Sequence, residues 1–140
     1  MNRRRRTKIL IQGSPSLAKE MAAEVIQKYQ VSEILAPQYG LTMVKMRETA
    51  KNSLFYIGEV LITEAKVEIK GEIGIGLVVG MKDDLAQHLA VIDAAYQVNL
   101  PISLKWDEKL MKLEKKLLVD QAKEQAEIFK TKVQFHTMDV

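Results

Sequence analysis

The spacing of apolar residues changes along this 140-residue chain from a helical period to an alternating one and back, and this change constrains the fold most. Near the N-terminus, Leu17, Met21 and Val25 recur every four residues, which is typical of one face of an amphipathic helix. In the middle, apolar residues alternate at period two over residues 54–69, which predicts a strand. The C-terminal third returns to helical spacing. The pattern therefore predicts an α+β fold.

Capping residues place the boundaries of the N-terminal helices. Ser14 followed by Pro15 is an N-cap with proline in the first helical position, where the missing N–H has no intrahelical partner to lose. This predicts a helix that ends near Tyr29. A shorter helix is predicted over about residues 7–12, and Gly13 ends it.

The middle of the chain predicts an antiparallel β-meander. Pro37 and Gly40 predict a turn before it, and Gly71 predicts the last turn within it. Most residues on one side of residues 54–69 are apolar, namely Phe55, Ile57, Leu61, Ala65, Val67 and Ile69, whereas the other side begins apolar and becomes charged. We therefore expect that strand to begin buried on both faces and to end with one face in water. Sixteen residues would span roughly 50 Å, so we also expect a bend or break. The predicted strands are residues 41–49, 54–69 and 73–79, with a turn at 51–53.

Two further helices are predicted after the meander, over about residues 84–98 and 103–132. The second is amphipathic and mostly polar. After it, Val133 and Phe135 suggest a short terminal strand or an extended tail. The predicted fold is thus an antiparallel β-meander packed with N-terminal, central and C-terminal helices, in one domain over residues 9–140.

The positive charge is concentrated at the N-terminus. The formal net charge is +3, whereas Arg3 to Arg6 together with Lys8 carry five positive charges, so residues 9–140 sum to −2. We interpret residues 1–8 as a flexible basic tail. A small nucleic-acid-binding protein that uses the run from Arg3 to Arg6 is an alternative hypothesis, because four arginines can neutralise about four phosphates.

Several classes of protein and site are excluded by residue content. The chain has no cysteine, which excludes disulfide scaffolds, thiolate zinc sites and iron–sulfur ligation by this chain. No apolar run approaches the roughly 18 residues of a membrane-spanning helix, so we predict no membrane span. The apolar segment after the arginines is too short for a secretory signal, and we expect a cytoplasmic protein.

Two patterns suggest a ligand site but have simpler explanations. The glycines of residues 71–80 lack the Lys-Ser/Thr pair of a phosphate-binding loop and fall in a predicted strand, so we expect a bulge or a close backbone contact. His88 follows Asp84 by one helical turn, but a metal ion would need further ligands. We predict no metal site.

Two carboxylates lie among apolar residues, Glu59 in the long strand and Asp93 in the helix 84–98. A carboxylate on an apolar face is unfavourable unless it is paired or exposed. A structural hydrogen bond or an intersubunit contact is one explanation. A catalytic acid or base is the other, and an enzyme with Glu59 as its base is the hypothesis that we rank last.

Motifs along nearly the whole chain resemble one known family. The most specific are Phe55-Tyr56-x-Gly58-Glu59-x-Leu61-x-Thr63-Glu64-Ala65-x-Val67 and the terminal Val133-x-Phe135-x-Thr137-Met138. In this order they resemble the PhnG family, the small subunit of the bacterial carbon–phosphorus lyase core complex. Residues at other positions add to the resemblance: Pro37, Gly40, Leu41, Met43, Val44, Arg47, Glu48, Gly74, Gly76, Gly80, Asp83, Ala90, Asp93 and Ala94.

The resemblance implies a part in the use of phosphonates as a phosphorus source. The family acts with the PhnH, PhnI and PhnJ subunits and an ATP-binding-cassette protein. Together with PhnH, PhnI and the PhnL protein it helps to form α-D-ribose 1-methylphosphonate 5-triphosphate, as methylphosphonate displaces adenine from ATP. The later cleavage uses an iron–sulfur cluster and S-adenosylmethionine on PhnJ.

The resemblance therefore implies an accessory subunit of that synthase and lyase complex, not catalytic as an isolated chain. We expect no cofactor on this chain, with ATP, the iron–sulfur cluster and S-adenosylmethionine on partner subunits. We expect no nucleic acid or membrane partner, and a possible homodimer when the chain is alone. No residue is predicted to be catalytic, cofactor-binding or metal-ligating. The predicted partner-interface residues are Tyr56, Glu59, Phe135, Thr137 and Met138.

Overall fold

The central element is a three-stranded antiparallel sheet in the order β1 (Ser32–Arg47), β2 (Leu54–Ile69) and β3 (Glu72–Val79). The structure is a computed structural model and describes residues 2–47 and 53–138; the side chains of residues 46–47, 55–56 and 132–138 lie outside that description. Most of the predicted turn at 51–53 also lies outside the described residues. The predicted meander and the α+β class are confirmed.

Two helices precede the sheet and two follow it within the described part of the chain. They are α1 (Arg3–Gly13), α2 (Pro15–Lys28), α3 (Asp83–Val98) and α4 (Ile102–Met138). Ser14 caps α2 as predicted, because its hydroxyl oxygen accepts a hydrogen bond from the backbone N–H of Leu17 at 3.2 Å.

The N-terminal basic run is helical, which corrects the expectation of a flexible tail over residues 1–8. The Asn2 side chain caps α1 by accepting a hydrogen bond from the backbone N–H of Arg5 at 2.8 Å. Ile9 and Leu10 are buried in the core, and Arg6 is buried with them. The segment is helical here because its apolar residues and one of its arginines pack against the body of the protein.

Helix α3 lies directly against the sheet because β3 carries glycine where the two elements meet. A Cβ atom added to Gly74 would overlap Ala90 and Ala94, and one added to Gly76 would overlap Ala86. No other residue type would admit the helix at this distance. The prediction of a close backbone contact in residues 71–80 is confirmed. The largest side chains of the resulting core are those of Trp106, Leu10, Met21, Ile69, Ile92 and Leu110.

The sheet corrects two expectations about the strands. Strand β1 continues through Pro37 and Gly40, where a turn was predicted, and its pairing with β2 shifts register between Leu35 and Gln38. Proline is tolerated there because β1 is an edge strand. Strand β2 is buried on one face only towards its C-terminal end. The described residues at its beginning, 54 and 57–61, are exposed or half-buried, so the expectation of an N-terminal part buried on both faces is wrong for them.

Helix α4 replaces the terminal strand or extended tail that was expected around Val133 and Phe135. Its 37 residues correspond to a length of about 55 Å at 1.5 Å per residue. Trp106 and Leu110 are buried, but every described side chain from Leu118 onward is exposed. The second half of the helix therefore extends beyond the body of the protein.

Removal of residues 133–140 should leave the domain folded, because every buried residue in the described part of α4 precedes Leu118. We expect the thermal midpoint to stay within about 2 °C of that of the full chain. Circular dichroism melting of the truncated chain checks this. A loss of cooperative melting would mean that the C-terminal residues complete the core.

A buried carboxylate connects three of the elements. Asp93 of α3 accepts a hydrogen bond from the backbone N–H of Ile75 at 3.0 Å and lies 3.5 Å from the guanidinium of Arg6. That guanidinium lies over the ring of Tyr96, 3.9 Å from its centroid. Arg3 approaches the same carboxylate at 3.9 Å. Burial lowers the pKa of Arg6, and the Asp93 carboxylate opposes this shift.

Asp93→Asn should destabilise the fold strongly. The amide can still accept the hydrogen bond from Ile75, but Arg6 would be left as a buried charge without its closest counter-ion. Loss of one partner of a buried pair costs about 3 kcal/mol or more. Urea unfolding measures the effect.

The matched control is Glu114→Gln, which breaks the exposed pair between Arg5 and Glu114. It should reduce stability much less, because exposed ion pairs are screened by water. Equal losses in the two variants would contradict the role assigned to Asp93.

Candidate partner interface

Strand β2 is twice as long as β3, and the difference creates a projecting two-stranded arm. β2 has sixteen residues and β3 eight. The pairing of β2 with β3 ends at Ile62 and Val79, and the backbone N–H of Gly80 adds one last hydrogen bond to the carbonyl of Leu61 at 2.8 Å. Beyond that point β2 pairs only with β1. We call residues 40–47 and 54–61 the arm.

One face of the arm continues the core-facing side of the sheet. Leu41 lies opposite Leu61, and Met43 lies opposite Glu59, so these four residues share a face. Ala65 and further core residues occupy the same face of β2, because side chains alternate along a strand. The core-facing side of the sheet is therefore apolar well beyond the part that α3 covers.

The apolar residues of that face are exposed on the arm. Leu41 is 66% exposed, Met43 58% and Leu61 37%. Ile57, next to the register shift between Val44 and Lys45, is also exposed. Clustered apolar side chains that a monomer leaves in water are typical of a surface that a partner covers.

Thr63 fixes the point at which the covered sheet ends and the arm begins. Its buried hydroxyl donates to the carbonyl of Gly80 at 2.5 Å and accepts from the backbone N–H of Lys82 at 3.1 Å. These bonds hold the connection between β3 and α3 against β2. As a result α3 starts at this level of the sheet and leaves the arm uncovered.

The structure places two of the predicted interface residues on the arm. Glu59 is exposed on the apolar face, so its carboxylate remains solvated and needs no buried partner. Tyr56 belongs to the arm by its backbone, which pairs with Lys45, and its side chain lies outside the described residues.

The other three predicted interface residues belong to a different element. The backbone of Phe135, Thr137 and Met138 forms the end of α4, and their side chains lie outside the description. For Asp93 the explanation by a structural hydrogen bond is confirmed, since its carboxylate accepts one from the backbone of β3.

The exposed Leu41 and Met43 of β1 are the interface residues that the sequence reasoning missed. It treated the start of β2, with which these two residues pair, as buried. A signal was present in the unequal predicted lengths of consecutive strands. A sixteen-residue strand next to a strand of about half its length must leave a two-stranded extension.

An open groove lies beside the arm at the start of α3. It has a volume of about 960 Å³, and its lining includes Lys19, Tyr39, Asp83, Asp84 and His88. The Tyr39 hydroxyl donates to the Asp83 carboxylate at 2.6 Å, which raises the pKa of Tyr39. Across the described residues, 2–47 and 53–138, no group of three or more side chains has an arrangement that could hold a metal ion.

His88, which lines the groove, makes a pH-dependent contribution to the stability of the folded protein. Burial lowers its pKa below the ordinary value, and the nearby Lys19 lowers it further, while Asp84 partly opposes both effects. The unfolded chain therefore takes up a proton on His88 at a higher pH than the folded chain does. The contribution of His88 to stability is therefore fully present above the pKa that His88 has in the unfolded chain. It is lost as the pH falls through the lower pKa that His88 has in the folded chain.

Substitution His88→Gln should therefore flatten the loss of stability between pH 7.5 and pH 5.5. Chemical unfolding of the wild type and the variant at both pH values measures the difference. The carboxylates titrate in both proteins, so they cancel from the comparison. A steeper pH dependence in the variant would contradict the direction of the His88 shift.

Three of the four arginines of α1 face carboxylates of the protein itself. Arg5 donates two hydrogen bonds to Glu114, at 2.8 and 2.6 Å, which raises the pKa of Arg5 and lowers that of Glu114. Arg6 and Arg3 lie near Asp93. The basic run is thus largely used in holding α1 against α3 and α4.

Comparison with known proteins identifies one family. A family model described as "Phosphonate metabolism protein PhnG" matches residues 1–139. Comparison with the curated proteins finds no match.

Among the described helices, none combines the length and the hydropathy that crossing a membrane requires.

Proposed function

The chain belongs to the PhnG family of phosphonate metabolism proteins, and from this premise we propose that it is an accessory subunit of the bacterial carbon–phosphorus lyase core complex. In this role it acts in the cytoplasm with the PhnH, PhnI and PhnJ subunits and an ATP-binding-cassette protein. It supports formation of α-D-ribose 1-methylphosphonate 5-triphosphate from ATP and methylphosphonate without carrying the reactive centre.

The observation that carries the proposal is the uncovered arm. Its exposed Leu41, Met43 and Leu61 extend a core face that α3 covers elsewhere. A partner that packs on this face would complete the core of this chain, as in obligate assemblies, whose interfaces resemble a domain core divided between two chains. The family membership and the geometry therefore favour the same kind of role.

The chemistry of the complex is assigned to the partner subunits. The chain has no cysteine, so it cannot supply thiolate ligands to an iron–sulfur cluster. We place the cluster, S-adenosylmethionine and ATP on the other subunits for this reason and from the family resemblance.

The alternative of a nucleic-acid-binding protein loses support from the arrangement of α1. Arg5 pairs with Glu114, and Arg6 is buried beside Asp93. Phosphate contacts need arginines that are free to leave the protein surface, and these two already have carboxylate partners.

Reconstitution tests the proposed role. The purified chain alone should release no adenine from ATP and methylphosphonate, whereas the co-expressed subunits together with this chain should release it. Leaving this chain out of the reconstituted mixture should abolish the reaction. Adenine release by the isolated chain would overturn the accessory role.

Leu41→Asp on the arm should weaken co-purification with the partner subunits by about tenfold or more, because the substitution places a charge in the core of the proposed interface. The thermal midpoint should not fall, since Leu41 is 66% exposed in the isolated chain. Pull-down with the tagged partners and a melting curve measure the two quantities.

Leu104→Asp is the matched control, because Leu104 has the same side chain, is 73% exposed and lies on α4 away from the arm. It should leave co-purification unchanged. If Leu41→Asp also leaves co-purification unchanged, the arm is not the interface.

A further inference from the structure

Strand β3 has a free edge whose backbone hydrogen-bonding groups are unpaired. It ends the sheet on the side away from β1 and pairs with β2 only. The backbone N–H of Ile75 points away from β2, since it donates to Asp93, and every second residue of a strand directs its backbone groups to the same side. Leu77 and Val79 therefore point outward as well. Within the described part of the chain, no hydrogen bond reaches the carbonyl of Ile75, either group of Leu77 or the N–H of Val79.

The sequence of β3 does not protect this edge against pairing with a further strand. Edge strands of soluble proteins are commonly protected by lysine, by proline or by a bulge. The eight residues of β3 include neither lysine nor proline, and their pairing with β2 has no register shift. The side chains of β3 on the uncovered face of the sheet are aliphatic, and three are exposed: Ile73 at 49%, Leu77 at 49% and Val79 at 63%. The edge is therefore both unpaired and apolar.

Helix α1 lies across a groove from this edge and makes one wall of the groove positive. The groove, which we call the β3 groove, has a volume of about 700 Å³ and is lined by residues of α1, β2 and β3. Three of its four charged lining residues are cations, namely Arg3, Arg4 and Lys8. The fourth is Glu64, which pairs with Lys66 at 3.8 Å. The β3 groove is thus positive along α1 and apolar along β3.

Arg4 and Lys8 are cations of α1 that the fold does not pair with a carboxylate. They are four residues apart, so they lie on the same face of the helix. Both are exposed, and neither makes an ion pair with another residue of the described ranges 2–47 and 53–138. Two unpaired cations that line a groove favour an occupant of negative charge.

We propose that an extended acidic segment of a partner subunit adds to the sheet along β3 and fills the β3 groove. Its backbone pairs with the outward groups of Ile75, Leu77 and Val79, and its carboxylates face Arg4 and Lys8. Strand addition to a free sheet edge is a recurring mode of peptide recognition in which backbone hydrogen bonds supply affinity. This inference rests on the proposed function and adds a second contact surface, separate from the arm.

Charge and backbone geometry together argue against two other occupants. A second copy of this chain paired through β3 would bring two positive α1 helices to the same edge, and like charges there oppose association. A nucleic acid has the required charge, but it cannot continue the hydrogen bonding of a strand and offers Leu77 and Val79 no apolar contact. An extended acidic peptide satisfies the edge, the aliphatic side chains and the cations at once.

A pair of charge reversals in the full-length chain, Arg4→Glu with Lys8→Glu, tests the positive wall by pull-down with the co-expressed PhnH, PhnI and PhnJ subunits at several salt concentrations. Binding should weaken about tenfold and lose part of its salt dependence, because the cations that attract the segment are gone. The matched control is Lys112→Glu with Lys116→Glu, which reverses two exposed lysines at the same spacing on α4, outside the groove. It should leave binding unchanged. Equal weakening by the two pairs would overturn the proposal, since net charge alone would then explain the effect.

A proline in β3 tests the backbone pairing. Leu77→Pro removes an N–H that has no partner within the described part of the isolated chain, and proline is tolerated on edge strands. It should weaken binding about tenfold while the chain stays folded, whereas Leu77→Thr keeps the N–H and should retain most of the binding. Circular dichroism melting of each variant measures whether it is folded.

Hydrogen exchange of the wild-type chain, resolved to single residues, tests the same pairing without a substitution. The amides of Leu77 and Val79 should exchange rapidly in the isolated chain and slowly in the complex. Unchanged exchange at both amides would overturn the proposal and leave the proposed function intact. Failure of the wild-type chain to bind the subunits at all would instead overturn the proposed function, so the two failures are distinguishable.

Two further assays address the alternative occupants. Analytical ultracentrifugation of the isolated chain should show no self-association that Leu77→Pro abolishes. The chain should not retain a double-stranded DNA probe at about 150 mM salt. A dimer formed through β3, or DNA binding that the charge reversals abolish while the pull-down is unchanged, would also overturn the proposal.

Discussion

The buried carboxylate of Asp93 is the contact on which the arrangement of the helices depends. It lies on α3, accepts a hydrogen bond from the edge of β3, and attracts two arginines of α1. At this depth one carboxylate oxygen accepts the hydrogen bond from Ile75, and the other makes no hydrogen bond and faces the Arg6 guanidinium at 3.5 Å as its counter-charge. The same contact turns an arginine-rich N-terminus from a solvated tail into a helix that packs on the core. A buried ion pair of this kind adds little net stability, whereas the loss of one partner is costly because it leaves the other charge buried and uncompensated.

The packing of α3 on the sheet sets the second constraint. Gly74 and Gly76 let the helix approach β3 closely, and Thr63 fixes the level at which the helix starts. The helix layer therefore covers only the part of the sheet that has three strands. The remaining half of β2 keeps its apolar residues on the same face without a covering layer. The arm is thus a direct result of strand length and helix position.

The arm and the exposed half of α4 are two parts of the chain that partner subunits would cover in the proposed role. The arm has an apolar face without a helix layer, and α4 extends about half of its length beyond the core. Neither feature would stabilise a monomer. Both are consistent with a family whose proposed place is in a multisubunit assembly, where the neighbouring chains supply the missing contacts.

The sequence by itself determined the α+β class, the meander, the cap at Ser14 and the role of the glycines before α3. Each of these depends on local spacing or on one residue's backbone requirement. It also marked Asp93 as a carboxylate that needs an explanation. The family was recognisable from motifs in the order in which they occur.

Only the tertiary structure decided which apolar residues are covered. The core-facing side of β2 carries apolar residues at both ends of the strand, but α3 covers one end and leaves Leu61, with Leu41 opposite it on β1, exposed at the other. Likewise, no local pattern indicates that Arg6 is buried, because its partner Asp93 lies 87 residues away in the chain. Burial and ion pairing depend on contacts between distant segments, and sequence spacing does not record them.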